Sequence, residues 1–561
     1  MEGYVYLAIV LVVGVVFAVQ SYNSKKVAKE HIKAVINKNY GNRFDREYSY
    51  EELKKITTYY KYLLECDNNR ETIDDITWND LDMDDIYKLI NHSYSSVGDE
   101  YLYSMLRLPK NREELIEFNR IVDVLYNNEE LSKELEEDFV SLGRQKRISL
   151  FEFIHKLGDL GKRSNIIHYV QIVLFCISIV LLLTIPTIGI FAIITIVAYN
   201  VVSYYKQKNV IESYFSCFKY LVHIVSASKE VQSALTDEFK EYKDTIKRVS
   251  DDLKSLEKGL FLISDGVNGS IVEIIMDYVR MIFHLDLIKF NNMIDTAISN
   301  MDSFDELFEC LGKVEAALSV ASFRKYLVGN YGSYCTPEII EDSKKYFGCE
   351  KVYHPLIENP VVNSIKEDKG VLLTGSNASG KSTFLKTIAI NVILSRTIYT
   401  ATADKLVCSP FEVYSSMALR DDLSSNESYY IVEIKSLKRI IDAAKSGKPM
   451  ICFVDEVLRG TNTVERIAAS SEILKSFNGG NVICFAATHD IELTHILDKY
   501  YSNYHFEESI ENDDVKFNYK LNEGRATTRN AIKLLKVIGY DDSIIRSAQG
   551  LADNFMETGK W

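Results

Sequence analysis

The stretch GVLLTGSNASGKSTF, residues 370–384, constrains the fold of this 561-residue chain more than any other feature. An apolar run typical of a buried strand leads into a glycine-rich loop, and a helical pattern follows over residues 383–395. Residues 375–382 fit G-x-x-x-x-G-K-[ST], a loop whose backbone N–H groups surround phosphates beside the positive end of a helix. This order of elements predicts a mostly parallel α/β sheet that binds a nucleotide at the carboxyl ends of its strands.

The residues of this loop have separate predicted tasks. Lys381 should reach the β- and γ-phosphates, and Ser382 should ligate Mg²⁺. The backbone groups of the other loop positions should surround the phosphates. The predicted phosphate-binding residues are Gly375, Ser376, Asn377, Ala378, Ser379, Gly380, Lys381, Ser382 and Thr383.

Two further apolar runs, ICFVDE and NVICFAATHD, also end in polar residues. Asp455 is placed to hold Mg²⁺ directly or through water, and Glu456 is placed to orient and activate an attacking water. His489 ends the next strand and is placed to sense the γ-phosphate. The alternatives are a solvated loop carboxylate at Glu456 and a purely structural His489. The predicted catalytic residues are Lys381, Glu456 and His489, and the predicted Mg²⁺ ligands are Ser382 and Asp455.

Two other regions are apolar enough to lie within a lipid bilayer. Residues 4–20 carry no charge and are followed by lysines, a pattern that favours a retained anchor over a cleaved signal peptide. Residues 166–203 also carry no charge, and they are too long for a single span. The segment TIPTIG (184–189) divides them into a hairpin with both ends on the cytoplasmic side. We therefore expect a multi-pass cell-membrane protein with three spans and a cytoplasmic α/β domain; a buried core hairpin is the alternative.

The helical patterns, the net charge and the cysteine spacing limit the fold and function classes further. Residues 26–165 and 205–330 have the pattern of long packed helices. A formal net charge of -14 argues against coating nucleic acid by bulk attraction, because such binding depends on lysine and arginine neutralising phosphates. The nine cysteines are scattered without metal-binding spacing, which favours reduced thiols over disulfides or a zinc site.

Taken with the loop and strand ends, further segments resemble the MutS family of DNA mismatch-repair ATPases, within the ABC ATPase superfamily. Two upstream segments, residues 89–109 and 307–323, resemble more weakly the family's helical core and lever domain. The resemblance implies an α/β C-terminal P-loop (ABC-type) ATPase domain and a mainly α-helical core and lever domain, here with transmembrane helices. The C-terminal segments are YCTPEI (334–339), HPL (354–356), DDLSSNESYYIVEI (421–434), DEVLRGTNTVE (455–465), ATHDIELT (487–494), YHF (504–506) and YKLNEG (519–524).

The resemblance also implies cofactors, partners and site residues. ATP and Mg²⁺ would bind at composite sites of a homodimer, with Ser428 touching the γ-phosphate held by the partner subunit. Tyr519 occupies the position that stacks on adenine, and Asn363 lies in the segment that leads to the phosphate loop. The expected domains are an anchor (1–25), a helical linker (26–71), a core and lever domain (72–334) interrupted by the hairpin at 166–203, and the ATPase domain (335–561).

The chain departs from the family pattern both upstream of the expected ATPase domain and within it. There is no room for the mismatch-reading domain, no counterpart of the DNA-clamp insertion, and Glu427 adds negative charge beside Ser428. One hypothesis is a membrane-anchored MutS-like ATPase that engages mismatched or branched DNA. The alternative is a mechanochemical membrane ATPase that acts on a protein or lipid partner without DNA. An ABC exporter is disfavoured because the L-S-G-G-Q signature is absent.

Overall fold

The computed structural model describes residues 2–44, 46–145, 149, 151–152, 155, 161, 163–257, 271–341, 345–376, 379–417, 429–458, 461–511, 514–526, 532, 535 and 538–558. Helices dominate this part of the chain, and the strands all lie beyond residue 337. The helices are Glu2–Asn39 (α1), Tyr50–Cys66 (α2), Asp75–Asp80 (α3), Met83–Ile90 (α4), Ser96–Arg107 (α5), Arg112–Asn127 (α6), Glu129–Leu142 (α7), Ile166–Thr184 (α8), Pro186–Ala234 (α9), Lys240–Asp252 (α10), Lys254–Glu257 (α11), Ile271–Phe283 (α12), Leu285–Ser299 (α13), Met301–Tyr331 (α14), Lys381–Thr397 (α15), Tyr429–Ala444 (α16), Thr463–Ser476 (α17), Ile491–Ile496 (α18) and Asp542–Thr558 (α19).

The chain divides into two compact units. The first unit consists of Met1–Asn68, Asn91–Ser104 and Ile121–Ser322, and the elements of secondary structure described in it are all helices. The second consists of Asn69–Ile90, Met105–Arg120 and Phe323–Trp561, and it contains every strand described. The mixed helical and α/β architecture predicted from the sequence is therefore confirmed. The predicted domain boundaries themselves stay predictions.

In the helical unit, the two upstream segments that resemble the MutS core and lever domain come together at a buried carboxylate. Glu315 of α14 accepts hydrogen bonds from the backbone N–H groups of Tyr94 (2.6 Å) and Ser95 (2.9 Å), at the start of α5. Gly98 makes room for it, since a Cβ there would lie 2.2 Å from Glu315 Oε2. These contacts fix the start of α5 against α14.

Burial makes Glu315 sensitive to pH. Desolvation raises the pKa of its carboxyl group from 4.5 to about 7, against the hydrogen bonds that favour the charged form. The folded state then binds the proton more tightly than the unfolded state, so stability falls as pH rises from 4.5 to 7. We expect Glu315→Gln, which cannot ionise, to gain thermal stability relative to wild type between pH 5 and pH 8, by up to roughly 3 kcal/mol. Melting curves of both proteins in detergent at pH 5 and pH 8 measure this difference in stability. An equal change in melting temperature between the two pH values for both proteins would contradict the expectation.

The predicted apolar hairpin is a pair of helices. α8 ends at Thr184 and α9 begins at Pro186, so the predicted break is confirmed. Gly189 permits close approach of the two helices, because a Cβ there would lie 2.2 Å from Leu182 Cα. Among the described residues, Ile166–Thr184 and Pro186–Ile211 are long and apolar enough to cross a bilayer, and 17% of each apolar window is buried.

For the expected first span, residues 4–20, the structure describes the backbone but few of the side chains. Its backbone lies in α1, but the side chains of residues 2–18 lie outside the described part of the chain. The three-span topology and the cell-membrane location therefore stay predictions.

Two sheets form the second unit. The strands are Glu338–Ile339 (β1), Phe347–Val352 (β2), Asn363–Glu367 (β3), Gly370–Thr374 (β4), Lys405–Cys408 (β5), Glu412–Ser416 (β6), Met450–Asp455 (β7), Val482–Thr488 (β8), Tyr501–Glu511 (β9) and Asp514–Glu523 (β10). The larger sheet has the order β10-β9-β4-β8-β7-β6, parallel except for β10, and the smaller has the order β1-β5-β2-β3. β4 and β8 are buried along their whole length, as expected for central parallel strands.

A segment that the sequence assigned mostly to the lever domain belongs to the α/β unit. Asp80 at the end of α3 is buried, and its carboxylate accepts hydrogen bonds from Ser415 Oγ (2.7 Å) and the Met417 N–H (2.9 Å). Arg396 at the end of α15 pairs with Glu71. Residues 69–90 are thus joined to β6 and α15 by buried charged groups.

Candidate functional site

Three adjacent strands of the larger sheet bring the predicted site residues together. β4 lies beside β8 with Thr374 opposite Thr488, and β8 lies beside β7 with Ala487 opposite Asp455. All three strands are parallel, so their carboxyl ends meet at one edge. The phosphate loop, the Asp455–Glu456 pair and His489 follow directly from these ends, as the sequence predicted.

A cavity of about 650 Å³ opens at this edge of the sheet. The predicted residues Asn377, Ala378 and Ser428 lie outside the described part of the chain, and Gly375 directly precedes the lining residue Ser376. The other predicted residues that line the cavity are Asn363, Ser376, Ser379, Gly380, Lys381, Ser382, Thr383, Asp455, Glu456 and Tyr519.

The phosphate loop needs glycine at both ends. Gly375 and Gly380 have φ angles of 148° and 104°, which residues with a Cβ rarely adopt. A Cβ on Gly375 would lie 2.9 Å from Ser379 Oγ and 3.0 Å from the carbonyl oxygen of Phe506. The two glycines therefore let the loop fold tightly over the first turn of α15.

Lys381 opens α15 and turns its ammonium group back over the loop. Its Nζ donates hydrogen bonds to the carbonyl oxygens of Gly375 (2.8 Å) and Ser376 (2.9 Å), and it lies 3.5 Å from His489 Nε2. The side chain is buried, with 5% of the residue exposed. A buried cation held at a helix N-terminus is suited to an anionic ligand.

Glu456 lines the cavity and forms a close pair with His489, which is not itself among the lining residues. Glu456 Oε1 lies 2.8 Å from His489 Nε2, and its backbone N–H donates to the carbonyl oxygen of Ala487 (3.0 Å). Because Nε2 can carry only one proton, it can donate to Glu456 or accept from Lys381, and the shorter distance favours donation to Glu456. Asp490, the residue after His489, accepts two hydrogen bonds (2.9 and 2.6 Å) from Arg466.

The residues proposed for Mg²⁺ are chemically suitable. Asp455 offers a carboxylate at the end of β7, and Ser382 offers a hydroxyl group on the first turn of α15; both line the cavity. Mg²⁺ prefers hard oxygen ligands and is held in nucleotide sites by one or two protein groups together with phosphates. The donor set therefore fits this ion.

Tyr519 and Asn363 act as a unit at the cavity wall. The Asn363 side chain donates to the Tyr519 carbonyl (3.0 Å) and accepts from the Leu521 N–H (2.9 Å). These two hydrogen bonds to the backbone hold Tyr519 at a φ of 54°, where the pairing of β9 with β10 is irregular. Tyr519 as a residue is 45% exposed, and its ring stacks on that of Phe517 with 6.0 Å between the ring centroids. Asn363 thus positions Tyr519, a role that sequence spacing could not assign.

Sequence reasoning gave no role to two other residues at this site. His354, quoted only as part of HPL, lines the cavity; burial and the nearby Lys386 lower the pKa of its imidazole to about 4, so it is neutral at pH 7. Glu508 on β9 accepts a hydrogen bond from the Ser376 hydroxyl group. Both contacts join residues far apart in the chain, so only the fold reveals them.

Comparison with known proteins agrees with this geometry. Residues 371–556 match the family model described as MutS domain V. The DNA mismatch repair protein MutS of Pseudothermotoga lettingae is 29% identical over 261 residues, covering 44% of this chain and 31% of the relative. The MutS protein of Thermotoga maritima is 28% identical over 271 residues, covering 46% of this chain and 32% of the relative.

A more distant relative matches over a longer stretch. The DNA mismatch repair protein MSH3 of Debaryomyces hansenii is 25% identical over 385 residues, covering 58% of this chain and 36% of the relative. The chain therefore spans about a third of the length of these curated relatives. The domain V match contains the predicted phosphate loop and the strand ends that meet at the cavity, so the C-terminal part of this chain is similar to domain V of the MutS family.

Proposed function

We propose that this protein is an ATP hydrolase of the P-loop, MutS/ABC type, which uses ATP and Mg²⁺ at the cavity described above. The observation that carries the proposal is the meeting of Lys381, Asp455, Glu456 and His489 at three adjacent strand ends. A binding-only site would have no need for a carboxylate and an imidazole beside the phosphate-binding lysine. Their pairing favours hydrolysis.

Each residue has a defined chemical task in this proposal. Lys381 exchanges its loop carbonyl partners for the β- and γ-phosphate oxygens and stabilises the charge that develops there. Glu456 orients the attacking water and accepts its proton, while His489 holds Glu456 in place through the 2.8 Å contact. Ser382 and Asp455 would hold Mg²⁺, which would neutralise part of the phosphate charge when bound. Tyr519 stacks on the adenine ring.

The active form proposed is a homodimer with composite sites. Ser428, directly before α16, would contact the γ-phosphate bound by the partner subunit. The C-terminal helix α19 exposes apolar side chains at Ile544 (50%), Leu551 (52%) and Phe555 (37%), which a second copy would cover. ATP binding would then close the dimer.

A cell-membrane location is also proposed, with the ATPase domain in the cytoplasm. The helices α8 and α9 support it because their large apolar side chains are exposed, for example Leu183 (79%) and Phe191 (76%). A buried core hairpin would hide such side chains. Residues 4–20 would add a third span.

DNA is the proposed load of the ATPase, since the relatives are named DNA mismatch repair proteins. Mismatched or branched duplexes are the candidates. The second candidate function, a mechanochemical ATPase that acts on a protein or lipid partner, is favoured by the net charge of -14 and the exposed apolar hairpin.

The two candidates differ in what a trapped ATP-bound dimer binds. Detergent-solubilised Glu456→Gln protein should bind a mismatched duplex or a four-way junction more tightly than a perfect duplex, only with ATP, and less tightly at higher salt. Lys381→Ala protein is the control and should show no ATP effect. ATP-dependent dimerisation without DNA binding at either salt concentration would remove DNA as the load and support the second candidate.

A further inference from the structure

Glu433 lies one turn into α16, the helix that begins directly after Ser428. The residue is buried, with 5% exposed, although glutamate is rarely buried without a specific partner. Its Oε1 accepts a hydrogen bond from the backbone N–H of Leu458. Glu433 thus ties α16 to the turn that carries Glu456.

That turn is strained. Glu456 and Leu458 have φ angles of 56° and 60°, a left-handed conformation that residues other than glycine adopt rarely. Such conformations are unfavourable and persist only where surrounding contacts enforce them. The direction of the Glu456 side chain follows from this turn, so the contacts that enforce the turn also place Glu456.

Several contacts restrain the turn. Ser470 Oγ donates to the Val457 carbonyl (3.2 Å), and Thr461 Oγ1 donates to the Leu458 carbonyl (3.2 Å). The side chains of Val457 and Leu458 lie in a buried cluster that also contains Leu437 and Ile440 of α16. These contacts fix carbonyl groups and side chains, whereas Glu433 fixes the backbone N–H of Leu458.

We propose that Glu433 is a positioning residue for ATP hydrolysis, which holds the turn after Asp455 so that Glu456 faces the attacking water. The proposal rests on the ATPase function proposed above. Glu433 acts through an acceptor oxygen at a fixed distance, and its negative charge is incidental. The helix that starts at the predicted partner-contacting serine thereby sets the geometry of Glu456 in its own subunit.

Two conservative substitutions separate reach from charge. Glu433→Gln keeps an oxygen at the same distance from the Leu458 N–H, whereas Glu433→Asp keeps the charge and loses one methylene of reach. We expect Glu433→Asp and Glu433→Ala to lower kcat on the order of 10- to 100-fold, because small displacements of a catalytic group have effects of this size. Glu433→Gln should stay within about threefold of wild type, and ATP affinity should change little in all three variants, since Glu433 does not line the cavity.

The experiment measures phosphate release at saturating ATP, equilibrium ATP binding and thermal melting for these variants. Lys435→Ala, an exposed position on the same helix, is the matched control. An active Glu433→Asp with an impaired Glu433→Gln would overturn the proposal, because charge and not reach would then matter. Equal losses of kcat and ATP affinity would also overturn it. A wild-type chain without phosphate release would overturn the ATPase function too, whereas wild-type release with unimpaired Asp and Ala variants would overturn only the role of Glu433.

Discussion

Replacing Glu456 by glutamine is expected to lower steady-state ATP hydrolysis by about 10²–10⁴-fold while ATP binding persists. Glutamine has the same size and can keep a hydrogen bond to His489, but it cannot accept the proton of the attacking water. General-base catalysis contributes about 10²–10⁴-fold, so turnover should fall by that factor. Phosphate release and equilibrium binding of ATP, measured on one preparation, test both halves of the expectation.

The matched control is Glu465→Gln, which makes the same change at an exposed position on α17. It should hydrolyse ATP at the wild-type rate. Wild-type turnover in the Glu456→Gln protein would show that another group activates the water. Loss of ATP binding in that protein would show instead that Glu456 is needed to form the site.

Replacing Lys381 by alanine is expected to remove ATP binding as well as hydrolysis. Lys381 is buried, and its ammonium group donates hydrogen bonds to the loop carbonyls of Gly375 and Ser376. Loss of one partner of a buried charged hydrogen bond costs about 2–5 kcal/mol. The dissociation constant for ATP should therefore rise about 30-fold or more.

Isothermal titration or a fluorescent ATP analogue measures this change. Lys369→Ala, an exposed lysine just before β4, is the control and should bind ATP normally. If the Lys381→Ala protein bound ATP as tightly as wild type, the cavity would not be the nucleotide site. Thermal melting without ligand should show that the variant is folded.

The meeting of the candidate site residues at three strand ends was predictable because its signals are local. A glycine-rich loop after one strand and acidic or imidazole groups after two others need only the rule that parallel strands end together. The hairpin break at Pro186 is local in the same way, because proline ends a helix by its own covalent structure. Such features can be inferred from a few consecutive residues.

Other features depend on contacts between distant segments. Asn363 reaches Tyr519 across 156 positions, and Glu315 reaches Tyr94 across 221. Asp80 is buried against β6 although its own segment has the pattern of a helical linker or lever. In each case a polar group forms a hydrogen bond with a residue far along the chain. No periodicity or motif around either residue identifies its partner.

The positive φ angles of Glu456 and Leu458 could not be predicted either. A left-handed backbone is normally marked in a sequence by glycine, but these two positions are glutamate and leucine, whose side chains disfavour it. The strain is tolerated because Glu433 and the buried cluster around Leu437 enforce it. Local rules fail here at the position where the proposed chemistry requires a particular side-chain direction.

Multiple-turnover phosphate release by the wild-type chain of 561 residues, reconstituted in lipid nanodiscs with ATP and Mg²⁺, tests the central claim most directly. Lys381→Ala protein prepared in the same way sets the background. The account predicts release of many phosphates per chain, which stops when Mg²⁺ is chelated. Release no faster than that of Lys381→Ala, from wild-type protein that is folded and binds ATP, would contradict it.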